Sequence, residues 1–234
     1  MRSLLHAALA AGVLIYACPS SGVNAMQNDD QGPKSENVAF YKVPLRCPAA
    51  PQIGCGSRSK PILLDLESAP IVKEAWLDRQ GITLAIVWKE GAAAAHRTLV
   101  VAAVKTKHDL SADELTGAAR DAALASFRSG GGWHRGADVD RLSEEEAGII
   151  ANRLVLRVTA KAPTASAKAQ LLQPIIASVV RDCLVESPDR SSARCRETFS
   201  QDLIAVVGNH LSQAESDALK EATKAGFRPL ADER

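Results

Sequence analysis

The chain has 234 residues, of which 46% are hydrophobic and 24% charged, and its formal net charge is +1. These values are typical of a globular protein with one large or two small domains. The balanced charge argues against a nucleic-acid-binding protein, which would need a basic surface.

The first 25 residues have the features of an export signal. Arg2 supplies a positive charge, residues 4–17 form an apolar run too short for a comfortable membrane span, and residues 23–25 (VNA) form a small-x-small cleavage pattern. We therefore expect a signal peptide at residues 1–25 and a protein that is periplasmic or secreted. Residues 14–18 also resemble a bacterial lipobox, so a lipoprotein anchored through Cys18 is the alternative. No later apolar run approaches membrane-spanning length.

The N-terminal half predicts a sheet domain. After a polar stretch at residues 26–37, which we interpret as a disordered leader, the apolar pattern changes from alternating to helical and back. The predicted elements are a strand at 38–45, a helix at 57–68, strands at 71–78, 82–88 and 98–104, a helix at 112–128, and an edge strand or ordered loop at 133–139. Pro48 and Pro51 make the segment before the first helix a stiff loop, because neither has an N–H to donate.

Beyond residue 143 the pattern predicts helices only. A capping-box signature, Ser followed three residues later by Glu, occurs at Ser111, Ser143 and Ser212 and predicts helices at about 112–128, 144–159 and 213–225. Apolar stripes at 171–184 and 199–211 predict two further helices, joined by a polar connection at 186–193. We therefore expect a helical domain over residues 141–228 and a tail at 229–234.

Apart from Cys18, the chain has four cysteines: Cys47, Cys55, Cys183 and Cys195. In an oxidising compartment an even number predicts disulfides, here with three possible pairings. We favour the local pairing, Cys47 with Cys55 and Cys183 with Cys195. The second pair would staple the predicted helical hairpin.

Residues 53–88 carry a family resemblance. The order strand, Cys-bearing loop, helix, strand, strand begins a ferredoxin-like βαββαβ unit. This stretch resembles the heavy-metal-associated domain of copper chaperones and periplasmic mercury-binding proteins, in which a Cys-x-x-Cys loop precedes the first helix. Cys55 takes the place of the first cysteine, and the matching core positions are Ile62, Leu66, Val72, Ala75 and Leu77. The resemblance implies an α+β fold, with a ferredoxin-like domain over residues 38–140 followed by the small helical bundle, and a soft metal ion such as copper or mercury as ligand.

The departure from the family falls on the chemistry. Arg58 stands where the family has its second cysteine, and one thiol beside a guanidinium does not give the soft two-thiolate coordination of Cu(I) or Hg(II). Arg58 and the helix N-terminus would instead favour the thiolate of Cys55. Cys47 could supply the second thiol if the Pro-rich loop folds back onto Cys55. The same geometry permits a disulfide, so both interpretations stay open.

Other polar groups give weaker indications. The four histidines outside the signal peptide have no metal-ligand spacing, and the glycines at 130–132 lack the Lys and Ser/Thr of a phosphate loop. We interpret the acidic run at 144–146 as a solvated first turn of a helix.

The sequence thus predicts an exported, non-enzymatic binding or accessory protein whose Cys47/Cys55 loop handles a soft metal ion or the thiol of a partner protein. The alternative is a structural protein–protein interaction module with two inert disulfides. A thiol–disulfide enzyme ranks below both, since the chain has no Cys-x-x-Cys motif.

Overall fold

The structure is a computed structural model that describes residues 34–164, 166–185 and 192–233, with the side chains of residue 166 and of 192–197 excepted. The predicted signal peptide and most of the polar connection at 186–193 lie outside these ranges. Residues Gly32–Arg234 form one compact unit. In the described ranges, none of the helices combines the length and apolar character needed to cross a bilayer.

Five strands and seven helices occur in this part of the chain. In order they are β1 (Val38–Lys42), α1 (Gly56–Ser68), β2 (Val72–Asp78), β3 (Thr83–Trp88), α2 (Ala94–Lys107), β4 (Asp113–Glu114), α3 (Gly117–Arg128), β5 (Trp133–Arg135), α4 (Asp140–Lys161), α5 (Ser166–Val185), α6 (Ser192–Val207) and α7 (Gln213–Lys224).

The strands form one sheet in the order β4-β1-β3-β2-β5, and every neighbouring pair is antiparallel. Side chains alternate between its two faces. In β3, Leu84, Ile86 and Trp88 join the core that contains apolar residues of α1 and α2, whereas Ala85 and Val87 face the other way. The predicted strand at 82–88 is confirmed as β3. The second face packs against α3, where Phe127 lies edge-on to aromatic rings of the sheet.

A separate apolar cluster joins the last four helices. α4 contacts α1, α5 and α7, and α6 contacts α5 and α7. Ile150 and Leu154 of α4 lie in this cluster with residues of the other three helices. Ala50 and Ile53, from the loop between β1 and α1, are fully buried in the same cluster. The loop that carries Cys47 and Cys55 therefore inserts into the helical core.

The predicted fold class, an α+β chain with a ferredoxin-like βαββαβ domain followed by a small helical bundle, is wrong. The described residues form a mixed fold of seven helices and a single five-stranded antiparallel sheet. Its last strand, β5, follows a third helix and extends the sheet beyond β2. Helix α4 packs on α1, and the loop after β1 contributes buried residues to the cluster of the last four helices.

Two elements between residues 98 and 128 also differ from the prediction. The apolar run at 98–104 lies inside helix α2, whose alanine-rich flanks favour helix over strand. The predicted capping box at Ser111 is absent, because Asp113 and Glu114 pair with β1 and α3 begins only at Gly117.

The other two capping predictions have different outcomes. Helix α4 begins at Asp140, so Ser143 lies within the helix and is fully buried rather than capping it. The capping box at Ser212 is confirmed: its hydroxyl accepts from the Glu215 N–H, and the Glu215 carboxylate accepts from the Ser212 N–H.

Candidate functional site

The loop between β1 and α1 folds back so that its two cysteines come together. The Cys47 N–H donates to the Ile53 carbonyl at 2.9 Å, and the Ile53 N–H donates to the Ala50 carbonyl at 3.0 Å. At the loop's end, the Cys55 N–H donates to the Leu45 carbonyl at 2.8 Å. These bonds hold the segment closed although its two prolines donate none. The loop therefore has the folded-back geometry that the sequence left open.

Two facing glycines let this loop lie directly on the hairpin turn between β2 and β3. A Cβ at Gly54 would lie 3.0 Å from the Gly81 Cα, and a Cβ at Gly81 would lie 2.5 Å from the Gly54 Cα. Gly81 also has a φ of 70°, a backbone angle that residues other than glycine rarely adopt. The turn thus fixes the position of the residue immediately before Cys55.

Cys55 is the N-cap residue of α1. Its carbonyl accepts a hydrogen bond from the Ser59 hydroxyl at 2.6 Å, and its Sγ lies 3.5 Å from the Ser57 Oγ. The unpaired N–H groups and the dipole of a helix N-terminus favour negative charge. Cys55 is 8% exposed, whereas Cys47 is 1% exposed. A reagent in solvent therefore reaches Cys55 before Cys47.

Helix α4 brings a carboxylate to the two thiols. Glu146 is 5% exposed, and its carboxylate is close enough to the Cys47 thiol to raise the pKa of that thiol. Oε2 of Glu146 has no hydrogen-bond partner, and neither has Oγ of the buried Ser143 one turn earlier. Unpaired buried polar atoms are rare in proteins and call for an explanation. This part of α4 is held close to the thiols because Gly56 leaves room for it: a Cβ there would lie 2.7 Å from the Val139 carbonyl oxygen.

The two thiols differ in acidity. A hydrogen bond from Cys47 lowers the pKa of Cys55, and Ser57 and the Arg58 backbone and guanidinium lower it further, against an opposing effect of burial. The same hydrogen bond raises the pKa of Cys47, as do burial and the Glu146 carboxylate. The directions of the two pKa shifts favour a Cys55 thiolate beside a protonated Cys47.

Glu146 is also perturbed. Burial, followed by the charge of Cys55, raises its pKa from 4.5 to about 7, although the hydrogen bond from Cys47 opposes the change. The carboxyl group therefore exchanges its proton near neutral pH, where proton transfer is most effective. Two acceptors act on the Cys47 thiol, the Cys55 sulfur and the Glu146 carboxylate, and both raise its pKa.

As for metal ions, the described residues contain no group of three or more His, Cys, Asp or Glu side chains that could hold one. Two sulfur atoms alone suit a soft monovalent ion or Hg(II). Such an ion would have to displace the Cys47 proton, which the raised pKa of that thiol opposes. The arrangement is better suited to nucleophilic thiol chemistry, which needs one thiolate and one thiol close together.

The structure places the other predicted site residues as follows. Cys47 and Cys55 lie together as free thiols, so their predicted disulfide stays a prediction. Arg58 is an exposed residue in the first turn of α1, with Nη1 3.5 Å from the Pro44 carbonyl oxygen. Cys183 is on α5, but the side chain of Cys195 lies outside the described residues, and the Cys183–Cys195 pairing therefore also stays a prediction.

Sequence reasoning missed Glu146, because it assigned residues 144–146 to a solvated first turn. A signal was present: Glu146 is four residues before Ile150 and eight before Leu154, on the apolar face of α4. A charged residue on such a face is rarely buried without a partner, and its position on the apolar face distinguishes Glu146 from its two acidic neighbours.

Comparisons of the chain with protein-family models, with curated proteins and with solved structures found no match. The resemblance to heavy-metal-associated domains therefore has no support beyond the residues that suggested it.

Proposed function

We propose that this chain is an exported accessory protein whose Cys47–Cys55 pair exchanges disulfides with a partner protein. The observation that carries the proposal is the asymmetry of the pair. Cys55 is the more exposed residue of the two and its thiol has the lowered pKa, while Cys47 is buried and its thiol has the raised pKa. Thiol–disulfide exchange needs a thiolate to attack and a second thiol to resolve the mixed disulfide.

The exchange would proceed in two steps. The Cys55 thiolate attacks one sulfur of the partner's disulfide, forms a mixed disulfide and releases the partner's other sulfur as a thiolate. Cys47 then attacks the Cys55 sulfur, the Cys47–Cys55 bond forms, and the bond between Cys55 and the partner breaks. The partner's disulfide gains two electrons and the cysteine pair loses them; the proton of Cys47 and one proton from solvent can then protonate the two released thiolates.

Three forms of the protein test this assignment with oxidised glutathione as the probe. The reduced wild type should form the Cys47–Cys55 disulfide, and Cys47→Ser should stop at a stable mixed disulfide on Cys55. The matched variant Cys55→Ser should react at least 10-fold more slowly than Cys47→Ser, because Cys47 is buried and its pKa is raised. Acid quenching followed by peptide mass mapping gives all three products. Equal rates for the two variants, or no intramolecular disulfide in the wild type, would contradict the proposal.

A soft metal ion is the second candidate ligand, favoured by two thiols that act on each other's pKa. Titration of Cu(I) or Hg(II) into the reduced wild type and into Cys55→Ser separates it from exchange. Tight one-to-one binding that Cys55→Ser loses would support a metal-handling role, and equal, weak binding by both proteins would exclude it.

An inert structural module is the remaining alternative. It requires a Cys47–Cys55 disulfide that resists mild reduction. A free-thiol count on protein purified without reductant, before and after exposure to reduced glutathione, decides this point. A pair that stays oxidised in a reducing glutathione buffer would favour the structural module over exchange.

A further inference from the structure

We propose that Glu146 is a catalytic proton acceptor for the exchange, an inference that rests on the proposed function. Its carboxylate takes the proton of Cys47 as the Cys47 sulfur attacks the mixed disulfide on Cys55. The proton then leaves with the departing thiolate or passes to solvent. Running in reverse, the protonated carboxyl group returns the proton to Cys47 as the disulfide is reduced.

The argument begins with the burial of Cys47. This thiol is 1% exposed, so water and buffer bases do not reach its proton directly. It must nevertheless lose that proton to attack, because the thiolate is the nucleophile. An acceptor inside the protein is therefore needed, and general-base catalysis requires that acceptor to lie within hydrogen-bond reach. Glu146 is the carboxylate that acts on the Cys47 thiol, and it is buried in the same region with one oxygen unpaired.

The neighbouring charged groups leave this role to Glu146. Arg153, two turns further along α4, is a cation that cannot accept a proton, and it donates to the Ala49 carbonyl at 2.8 Å. Arg58 acts on Cys55 from the first turn of α1. Cys55 accepts from Cys47 in the reduced pair, but once its sulfur is in a mixed disulfide it no longer carries a charge. In the mixed disulfide, Glu146 rather than Cys55 is therefore the anionic group that can accept the proton of Cys47.

The unpaired oxygen of Glu146 fits the same role. A purely structural carboxylate buried to this degree would satisfy both oxygens, because an unpaired buried acceptor destabilises the fold. Oε2 has no partner, and neither has Oγ of the buried Ser143 one turn before it. The free oxygen provides the position that a transferred proton would occupy. The raised pKa of Glu146 supports this assignment, since it makes uptake and release possible near neutral pH.

The test follows each exchange step separately. The reduced wild type, Glu146→Gln and the control Glu144→Gln are mixed with oxidised glutathione between pH 5 and pH 9. Acid quenching and mass spectrometry then give the rate of mixed-disulfide formation at Cys55 and the rate of its conversion to the Cys47–Cys55 disulfide. Glu144 is exposed on the same helix, so its variant makes an equal change of charge away from the thiols.

We expect Glu146→Gln to slow the conversion step about 100-fold near pH 7, the lower end of the range for general acid–base catalysis. The first step should change by less than about 3-fold, and Glu144→Gln should match the wild type in both. The wild-type conversion rate should rise through an inflection at or somewhat below pH 7, because the charge of Cys55 that helps raise the Glu146 pKa is absent from the mixed disulfide. Glu146→Gln should lack this inflection.

Conversion by Glu146→Gln at the wild-type rate, with the same pH profile, would overturn the role of Glu146 and leave the exchange function intact. Failure of the wild type to form the intramolecular disulfide would overturn both. If Glu146→Gln does not fold, as judged by circular dichroism, the wild-type pH profile decides: a rate without an inflection between pH 5 and pH 8 contradicts the inference.

Discussion

Replacing Glu146 by Gln should stabilise the protein at alkaline pH, because the folded state holds this carboxyl group where its charged form is unfavourable. Burial, and then the charge of Cys55, raises its pKa from 4.5 to about 7. Between these two values the folded protein keeps a proton that the unfolded chain has lost. Its stability therefore falls as the pH rises through this window, and the full penalty applies above pH 7.

The magnitude follows from the pKa difference. One pKa unit corresponds to about 1.4 kcal/mol, so a rise from 4.5 to about 7 gives a penalty of up to about 3 kcal/mol at pH 8. Glu146→Gln removes the charge and keeps the size of the side chain and one carbonyl oxygen. We expect its gain in unfolding free energy to approach this limit at pH 8 and to shrink toward zero at pH 4.5.

Urea unfolding of the reduced proteins at pH 4.5, 6, 7 and 8 measures the difference directly. The control Glu144→Gln should stay within about 0.5 kcal/mol of the wild type at every pH, since it changes an exposed group. A Glu146→Gln variant that is less stable than the wild type at pH 8, or whose difference from the wild type does not vary with pH, would refute the reasoning.

Three further predictions concern the framework that holds the site. Gly56→Ala should lower the unfolding free energy by about 2 kcal/mol or more, because its Cβ would press on the start of α4, whereas Gly131→Ala, with nothing within 4 Å of its Cβ, should have little effect in the same urea assay. Arg157→Met should lower the unfolding free energy by about 3 kcal/mol, since this buried guanidinium donates to three backbone carbonyls near the C-terminus and to the carboxylate of Glu233. Arg128→Met, which changes an exposed residue, is the control, and an equal effect of the two variants would contradict the account. Ser212→Ala should cost about 1 kcal/mol at pH 7 through loss of the helix cap, and unchanged stability would show that the capping box contributes nothing.

The sequence predicted the parts of the fold in which one local pattern dominates. Strand β3 alternates between the two faces of the sheet after a turn with Gly81, and α1 has an apolar stripe between a glycine and a proline. The Ser212 capping box is a local signal of the same kind. Prediction from the sequence failed where tertiary contacts determine the secondary structure. The pair Asp113 and Glu114 carries a capping signature, but pairing with β1 draws it into the sheet.

The candidate site was half predictable for a related reason. Two cysteines separated by a proline-containing loop indicate a thiol pair, and the order of the elements places Cys55 at a helix start. The role of Glu146 depends on where α4 begins. A start at residue 144 puts this side chain in the first turn toward solvent, whereas the observed start at Asp140 puts it in the second turn, facing the thiols. The start of α4 lies against Gly56 of α1, a contact that no local pattern reveals.

The central claim is that Cys47 and Cys55 form a reversible disulfide couple, and a redox titration of the purified protein tests it most directly. The protein is equilibrated with defined mixtures of reduced and oxidised glutathione, its thiols are trapped by alkylation, and peptide mapping gives the fraction with a Cys47–Cys55 bond. The account predicts one two-electron transition between dithiol and disulfide within the range of these buffers. A pair that stays reduced in every mixture, or stays oxidised in every mixture, would contradict it.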